Sequence, residues 1–167
     1  TSRFNPAQLE LLSNGLERTT KVLDLGIGFG NLAKILIGQG KEVYGVDNRQ
    51  DSLDYAGRKV GEQGKDRLKL VLGDVRQLGY NNEFDGASCV SHLGDFGNLG
   101  PVFSGVYRAL QPGGYFAMTG VEGSQMEKVA KLRKEEYNQA IQEGRLVLNR
   151  EEIRKLQEEA KRTDLTK

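Results

Sequence analysis

Apolar residues follow two alternating rhythms along this chain. Compact runs at Lys21-Val22-Leu23-Asp24-Leu25, Glu42-Val43-Tyr44-Gly45-Val46-Asp47 and Leu68 to Leu72 predict buried strands, apolar on both faces or nearly so. Between them the spacing becomes helical. Ala7 to Leu16 places Leu9, Leu12 and Leu16 on one side, with Pro6 near the first turn. Asn31 to Gln39 carries Leu32, Ile35 and Leu36 and stops at Gly40, and Asp51 to Gln63 gives a third helix. A looser repeat follows, with a strand over Phe84 to Val90, a helix over Val102 to Leu110 and a strand over Tyr115 to Thr119. This order predicts an open, doubly wound α/β domain: a mostly parallel sheet with helices on both faces.

Beyond Gly120 the texture changes. Gln125 to Glu143 reads as a helix, Arg145 to Leu148 as a short strand or an extended link, and Asn149 as the N-cap of a further helix begun by Glu151 and Glu152. This charged stretch has too few apolar residues for its own core. The whole of 1–167 is therefore expected to be a single domain, with a core over 20–120 and a largely helical cover over 121–167. The C-terminal strands of such a sheet would then be reduced or missing. A sheet edge left uncovered after strand five would offer a homodimer contact.

Composition narrows the function classes. With 24 basic and 23 acidic side chains the net charge is +1, which gives no long-range field for nucleic acid or an anionic membrane. One cysteine, Cys89, excludes an intrachain disulfide framework and a cysteine-based zinc site, and favours a reducing, cytoplasmic setting. No apolar stretch is long enough to span a membrane. Lys128, Lys131, Arg133 and Lys134 form a basic cluster interrupted by Glu135 and Glu136, which reads as a solvated helix face.

The chemistry concentrates in Val22-Leu23-Asp24-Leu25-Gly26-Ile27-Gly28-Phe29-Gly30-Asn31-Leu32-Ala33. A strand runs into glycines at alternate positions and then into a helix, whose free N–H groups face whatever approaches. Gly26, Gly28 and Gly30 permit backbone turns and close approaches that a side chain would obstruct. Asp47 ends the next strand, where a carboxylate can accept both hydroxyls of a ribose. Asp74 follows strand three in Leu72-Gly73-Asp74-Val75-Arg76 and offers an acceptor to an adenine amino group. Asp24, Asp47 and Asp74 thus fall at three strand ends on one edge of the sheet, where open α/β folds bind ligands.

The spacing Gly28, Gly30, Ala33 also fits a dinucleotide turn. A pyrophosphate, however, would meet the Asp24 carboxylate with like charge, whereas a ligand carrying a sulfonium and an ammonium reverses the sign. Charge therefore favours S-adenosylmethionine over a dinucleotide.

Residues 22 to 120 resemble the class I S-adenosylmethionine-dependent methyltransferases, especially the branch acting on small molecules. Val22 to Gly30 resembles the family's first signature, Val43 to Asp47 its acid-ended second strand, and Gly73-Asp74-Val75 its third. Phe84-Asp85 running on to Cys89-Val90-Ser91-His92-Leu93 is similar to the fourth, and Arg108-Ala109-Leu110-Gln111-Pro112-Gly113-Gly114 to the stretch before strand five. The resemblance implies a Rossmann-like methyltransferase fold. It implies that Asp24 and the Gly26 to Gly30 loop hold the methionine part, Asp47 the ribose, and Asp74 with Val75 the adenine, with Asn48 and Arg49 closing over the adenosine. Ser91, His92 and Leu93 would line the cleft. His92, the only histidine, is the expected general base for an amine or hydroxyl acceptor, with Asp95 in reserve. Cys89 reads as an apolar strand residue, and Tyr80 as a residue within reach of the cleft. The expected partner is a small-molecule acceptor, with no membrane, and nucleic acid is disfavoured. Methylation of RNA or protein, and nucleoside binding without turnover, remain the alternatives.

Overall fold

The computed structural model describes residues 6–90, 100–119, 145–149, 151, 154, 155 and 158. Its spine is β1 (Lys21–Leu25), flanked by β2 (Glu42–Asp47) on one side and β4 (Phe84–Cys89) on the other. Among the described residues the sheet has six strands in the order β3-β2-β1-β4-β5-β6, with β3 at Leu68–Leu72, β5 at Leu110–Thr119 and β6 at Arg145–Asn149. β1 to β5 are parallel, and β6 runs antiparallel to β5. Val22 to Leu25 and Gly86 to Cys89 are buried, as central strands covered on both faces must be. β3 is an outer strand and leaves Lys69 and Leu72 exposed.

Three helices cover one face: α1 (Pro6–Gly15), α2 (Asn31–Gly38) and α3 (Gln50–Val60). Leu9, Leu12 and Leu16 meet Leu32, Ala33, Leu36, Leu53 and Ala56 over Val22 and Val43. In α2 the buried residues are Leu32, Ala33 and Leu36, and in α3 they are Ser52, Leu53 and Ala56. The same one-and-four spacing in both helices makes one apolar stripe each, which is why the segments fold as helices against the sheet. The opposite face is packed by α4 (Gly100–Ala109) through Val102, Phe103 and Val106, joined by Val75, Leu78 and Phe84. Helices on both faces of a mostly parallel sheet are the architecture the apolar rhythm predicts.

Two elements differ from the sequence expectation. The strand expected at Tyr115 begins at Leu110, because Leu110 pairs with Phe84 directly after α4 ends. The register then jumps so that Gly86 pairs with Tyr115, and Gln111-Pro112-Gly113-Gly114 bulges out between the two pairings. Gly113 has φ 83° there, which favours glycine. The segment from Arg145, left open between strand and link, is a strand: Thr119 pairs with Arg145 and Tyr115 with Asn149. Among the described residues the outer edges of the sheet are therefore β3 and β6. The β5 edge, where a homodimer contact was expected, is occupied by the chain's own β6.

Further along, Glu151, Arg154, Lys155 and Glu158 are helical, and Arg154 bridges Glu151 and Glu158. The helix expected over Gln125 to Glu143 lies outside the described residues. Among the described residues no helix is long and apolar enough to cross a membrane.

Candidate active site at the carboxyl ends of the strands

The loop from β1 to α2 is tied down before it turns. The Gly26 and Ile27 N–H groups both donate to the Val46 carbonyl at 2.7 and 3.1 Å, so the loop leans on the end of β2. Gly26, Gly28 and Gly30 have φ of 64°, 55° and 79°, a left-handed conformation at alternate positions that other residues resist. Gly30 has a second constraint. A Cβ there would stand 2.9 Å from the Ala56 Cβ, so its absence lets α3 close against the loop. Both requirements leave the first turn of α2 bare on the ligand side.

Asp47 is the last residue of β2 and is 6% exposed. Its Oδ2 accepts the Gly28 N–H and its Oδ1 accepts the Arg49 N–H, each at 3.0 Å. An ionised carboxylate offers about four lone-pair sites, so each oxygen keeps acceptor capacity for another hydroxyl. The two backbone donors hold the group rigid at the loop, the arrangement a ribose site needs. Asn48, next in the chain, is exposed.

Asp24 lies one residue short of the end of β1, paired with Gly45 on one side and Ser88 on the other. It is 2% exposed. The Ser88 hydroxyl donates to its Oδ1 at 2.9 Å, while Oδ2 has no hydrogen-bond partner among the described residues. Burial pushes its pKa up to about 7, the Ser88 hydrogen bond opposes that, and the charge of Asp47 adds to it. An open carboxylate oxygen in an apolar setting is costly unless a ligand satisfies it. A cationic ligand end would do so, and a phosphate would not.

Asp74 stands two residues beyond β3, next to the end of β2, where the Gly73 N–H donates to the Asp47 carbonyl at 2.9 Å. Its carboxylate already grips Arg76, through the backbone N–H at 2.8 Å and the guanidinium at 2.8 to 3.2 Å. Arg76 holds the Asp74 pKa below the usual carboxylate range. An adenine amino group would have to share this acceptor with Arg76. Val75, between them, is buried and turns an apolar side chain into the α4-side core.

The structure thus brings Asp24, Gly26, Gly28, Gly30, Asp47, Asn48, Asp74 and Val75 to one edge of the sheet. Ser91, His92, Leu93 and Asp95 lie outside the described residues. Tyr80 does not reach this edge. Its ring packs edge-on at 5.1 Å from Phe84, the first residue of β4, at the opposite end of the strands. Cys89 is buried in β4, as its apolar neighbours predict. Ser88 was not anticipated. The available signal was a polar residue in the buried Gly86 to Cys89 part of the strand. No group of acidic, histidine or cysteine side chains suited to a metal ion occurs among the described residues.

Comparison with known proteins agrees with this architecture. A family profile described as a methyltransferase domain matches residues 16–163. The biotin biosynthesis bifunctional protein of Teredinibacter turnerae is 36% identical over 109 residues, 59% of this chain and 19% of that protein. The sterol 24-C-methyltransferase of Pneumocystis carinii is 31% identical over 109 residues, 64% of this chain and 29% of that protein. Among solved structures, a Pyrococcus horikoshii protein superposes with a TM-score of 0.61 at 30% identity, covering 81% of this chain and 60% of the other. The chain spans about a fifth to a third of the two curated relatives.

Proposed function

The chain belongs to the methyltransferase-domain family, within the class I S-adenosylmethionine-dependent methyltransferases, and from that premise we propose that it transfers a methyl group from S-adenosylmethionine to a small-molecule acceptor. The observation that carries this reading is the unpartnered Oδ2 of buried Asp24 beside a glycine loop anchored on Asp47. The charge of that oxygen suits a cationic ligand end, and the remaining lone pairs of Asp47 suit a ribose.

S-adenosylmethionine, when bound, supplies a sulfonium whose methyl carbon is electrophilic, so the protein needs no nucleophilic triad. The chain's own work is to bind and orient. Asp24 and the Gly26 to Gly30 loop receive the methionine end, Asp47 the ribose, and Asp74 and Val75 the adenine, with Asn48 closing over the adenosine. Ser91 is assigned to the cofactor on the family resemblance alone. His92 takes the acceptor proton where the acceptor is an amine or hydroxyl, with Asp95 as the second candidate. Holding the acceptor in line with the bond that breaks contributes on the order of several kcal/mol to the rate. In domain terms, 20–120 holds the cofactor site, while 121–167, expected as a cover, contributes strand β6 to the same sheet.

The small-molecule assignment draws support from the near-zero net charge and from the relative named for a sterol reaction. The deciding experiment incubates the chain with methyl-labelled S-adenosylmethionine and separate pools of small lipophilic molecules, RNA and protein. Label in a small molecule is expected. Label confined to RNA or protein would reject the acceptor class, and cofactor binding with no label in any pool would make the chain a binding protein.

A further inference from the structure

The proposed cofactor site contains a buried hydrogen bond that the reading above does not use. Ser88 sits in β4 directly across from Asp24, fully buried, between Cys89 and Ala87. Its hydroxyl donates to Asp24 Oδ1 at 2.9 Å, fixing the carboxylate with Oδ2 left unpartnered. On the other side, Asp24 is paired with Gly45. That glycine has no side chain, and its Cβ position is already filled by Ile27. Ser88 is thus the one side chain among the described residues that hydrogen-bonds the Asp24 carboxylate.

Resting on the S-adenosylmethionine reading, we propose that Ser88 is a positioning residue that presents Asp24 Oδ2 to the ammonium end of the ligand, so that cation capture expels a proton from the protein. The electrostatic surroundings explain why a proton is there to expel. From β2, Asp47 adds negative charge. Glu10 of α1 and Lys34 of α2 are exposed. Lys59 of α3 is engaged by Asn31 at the start of α2. Asp85, at the far end of β4, is held by Thr20 and Lys21. Buried Lys41 is held by the Glu17 and Thr19 carbonyls at the amino end of the strands and does not offset the burial of Asp24, which holds its pKa at about 7. A bound ammonium supplies that missing charge and favours the ionised carboxylate. The balance is simple: the carboxylic acid loses its O–H proton to solvent, and the ligand keeps its own.

This makes Ser88 a determinant of selectivity between ligands with and without an ammonium group. Calorimetry in buffers of different ionisation enthalpy reads the proton directly. With S-adenosylmethionine or S-adenosylhomocysteine at pH 6, release of close to one proton per ligand is expected, and affinity should fall about tenfold per pH unit below 7. With 5′-methylthioadenosine, which lacks the amino-acid end, no proton should leave and affinity should be flat with pH. In Ser88→Ala the midpoint of the pH profile should move upward, because a donor to the ionised form is gone. Ser88→Thr, which keeps the hydroxyl, should restore it. Should Ser88→Ala fail to fold, the wild-type proton count and the loss of that release in Asp24→Asn carry the test.

Firm binding of S-adenosylmethionine with no proton release and no pH dependence from 5.5 to 7.5 would overturn this inference and leave the function standing. Failure of S-adenosylmethionine and S-adenosylhomocysteine to bind at any pH would overturn both.

Discussion

The two ends of the parallel strands treat their carboxylates in opposite ways. At the amino end, Asp85 of β4 takes both the Thr20 N–H and hydroxyl and the Lys21 N–H, at 2.8 to 3.0 Å. Buried Lys41 is treated similarly, its ammonium donating to the Glu17 and Thr19 carbonyls. These groups close the polar accounts of the chain turning into β1. At the carboxyl end, Asp24 is more deeply buried yet has one donor and one open oxygen. Asp47 is fixed by two backbone N–H groups and retains lone pairs. Asp74, on the same edge, is already held by Arg76; it is at Asp24 and Asp47, left half-satisfied, that the fold has stored ligand affinity. Neighbouring strands carry both kinds, so residue type alone does not separate structural from functional acids.

The largest effect that tests this contrast is on stability. Asp24 binds its proton more tightly when folded, since its pKa rises from the ordinary 3.8 to about 7. Between those values the native state holds a proton that the unfolded state has lost. Ligand-free stability should therefore fall as pH rises from about 4 to about 7, by at most about 4 kcal/mol, and level off above. Denaturant midpoints across that range check it, with Asp24→Asn as the variant in which this fall should vanish.

Next in size is ligand affinity. Asp24→Asn removes the charge but keeps the shape, and should weaken S-adenosylmethionine on the order of 100-fold while leaving 5′-methylthioadenosine within about threefold. Titration calorimetry of the two ligands reads the difference. Asp85→Ala should do the reverse. It strands the Thr20 and Lys21 donors and should cost about 2 kcal/mol of stability in urea unfolding, with cofactor affinity of the folded protein unchanged. A smaller effect is expected from Asp47→Ala, about tenfold in affinity for both adenosine ligands, because the ribose hydroxyls lose a partner. Equal loss of both ligands would mark Asp47 as the ribose residue, whereas loss of S-adenosylmethionine alone would place it at the methionine end.

Much of this contrast was legible in the chain. The strands at Lys21–Leu25, Glu42–Asp47 and Leu68–Leu72 announce themselves because buried parallel strands are continuous apolar runs, and acids at their ends stand out against that background. The glycine loop was legible because positive φ at alternate positions leaves few other residues to choose from. The start of β5 was not, because Pro112, Gly113 and Gly114 read as a turn before a strand, while the strand pairs at Leu110 and bulges through them. Ser88 was illegible for a different reason. A serine in a buried strand reads as small filler until the register sets it opposite Asp24, and register between strands 64 residues apart is a property of the whole sheet. The grip of Arg76 on Asp74 lies only two residues away, but the turn that brings them together is set by the end of β3.

On the proposed function, the carboxyl end of the sheet is a negatively charged site for a cationic adenosine ligand. Titration of the wild-type chain with S-adenosylmethionine and with NAD at pH 7.5 tests it most directly. The account predicts saturable binding of S-adenosylmethionine and none of NAD, whose pyrophosphate would meet Asp24 with like charge. Binding of NAD without binding of S-adenosylmethionine would contradict it.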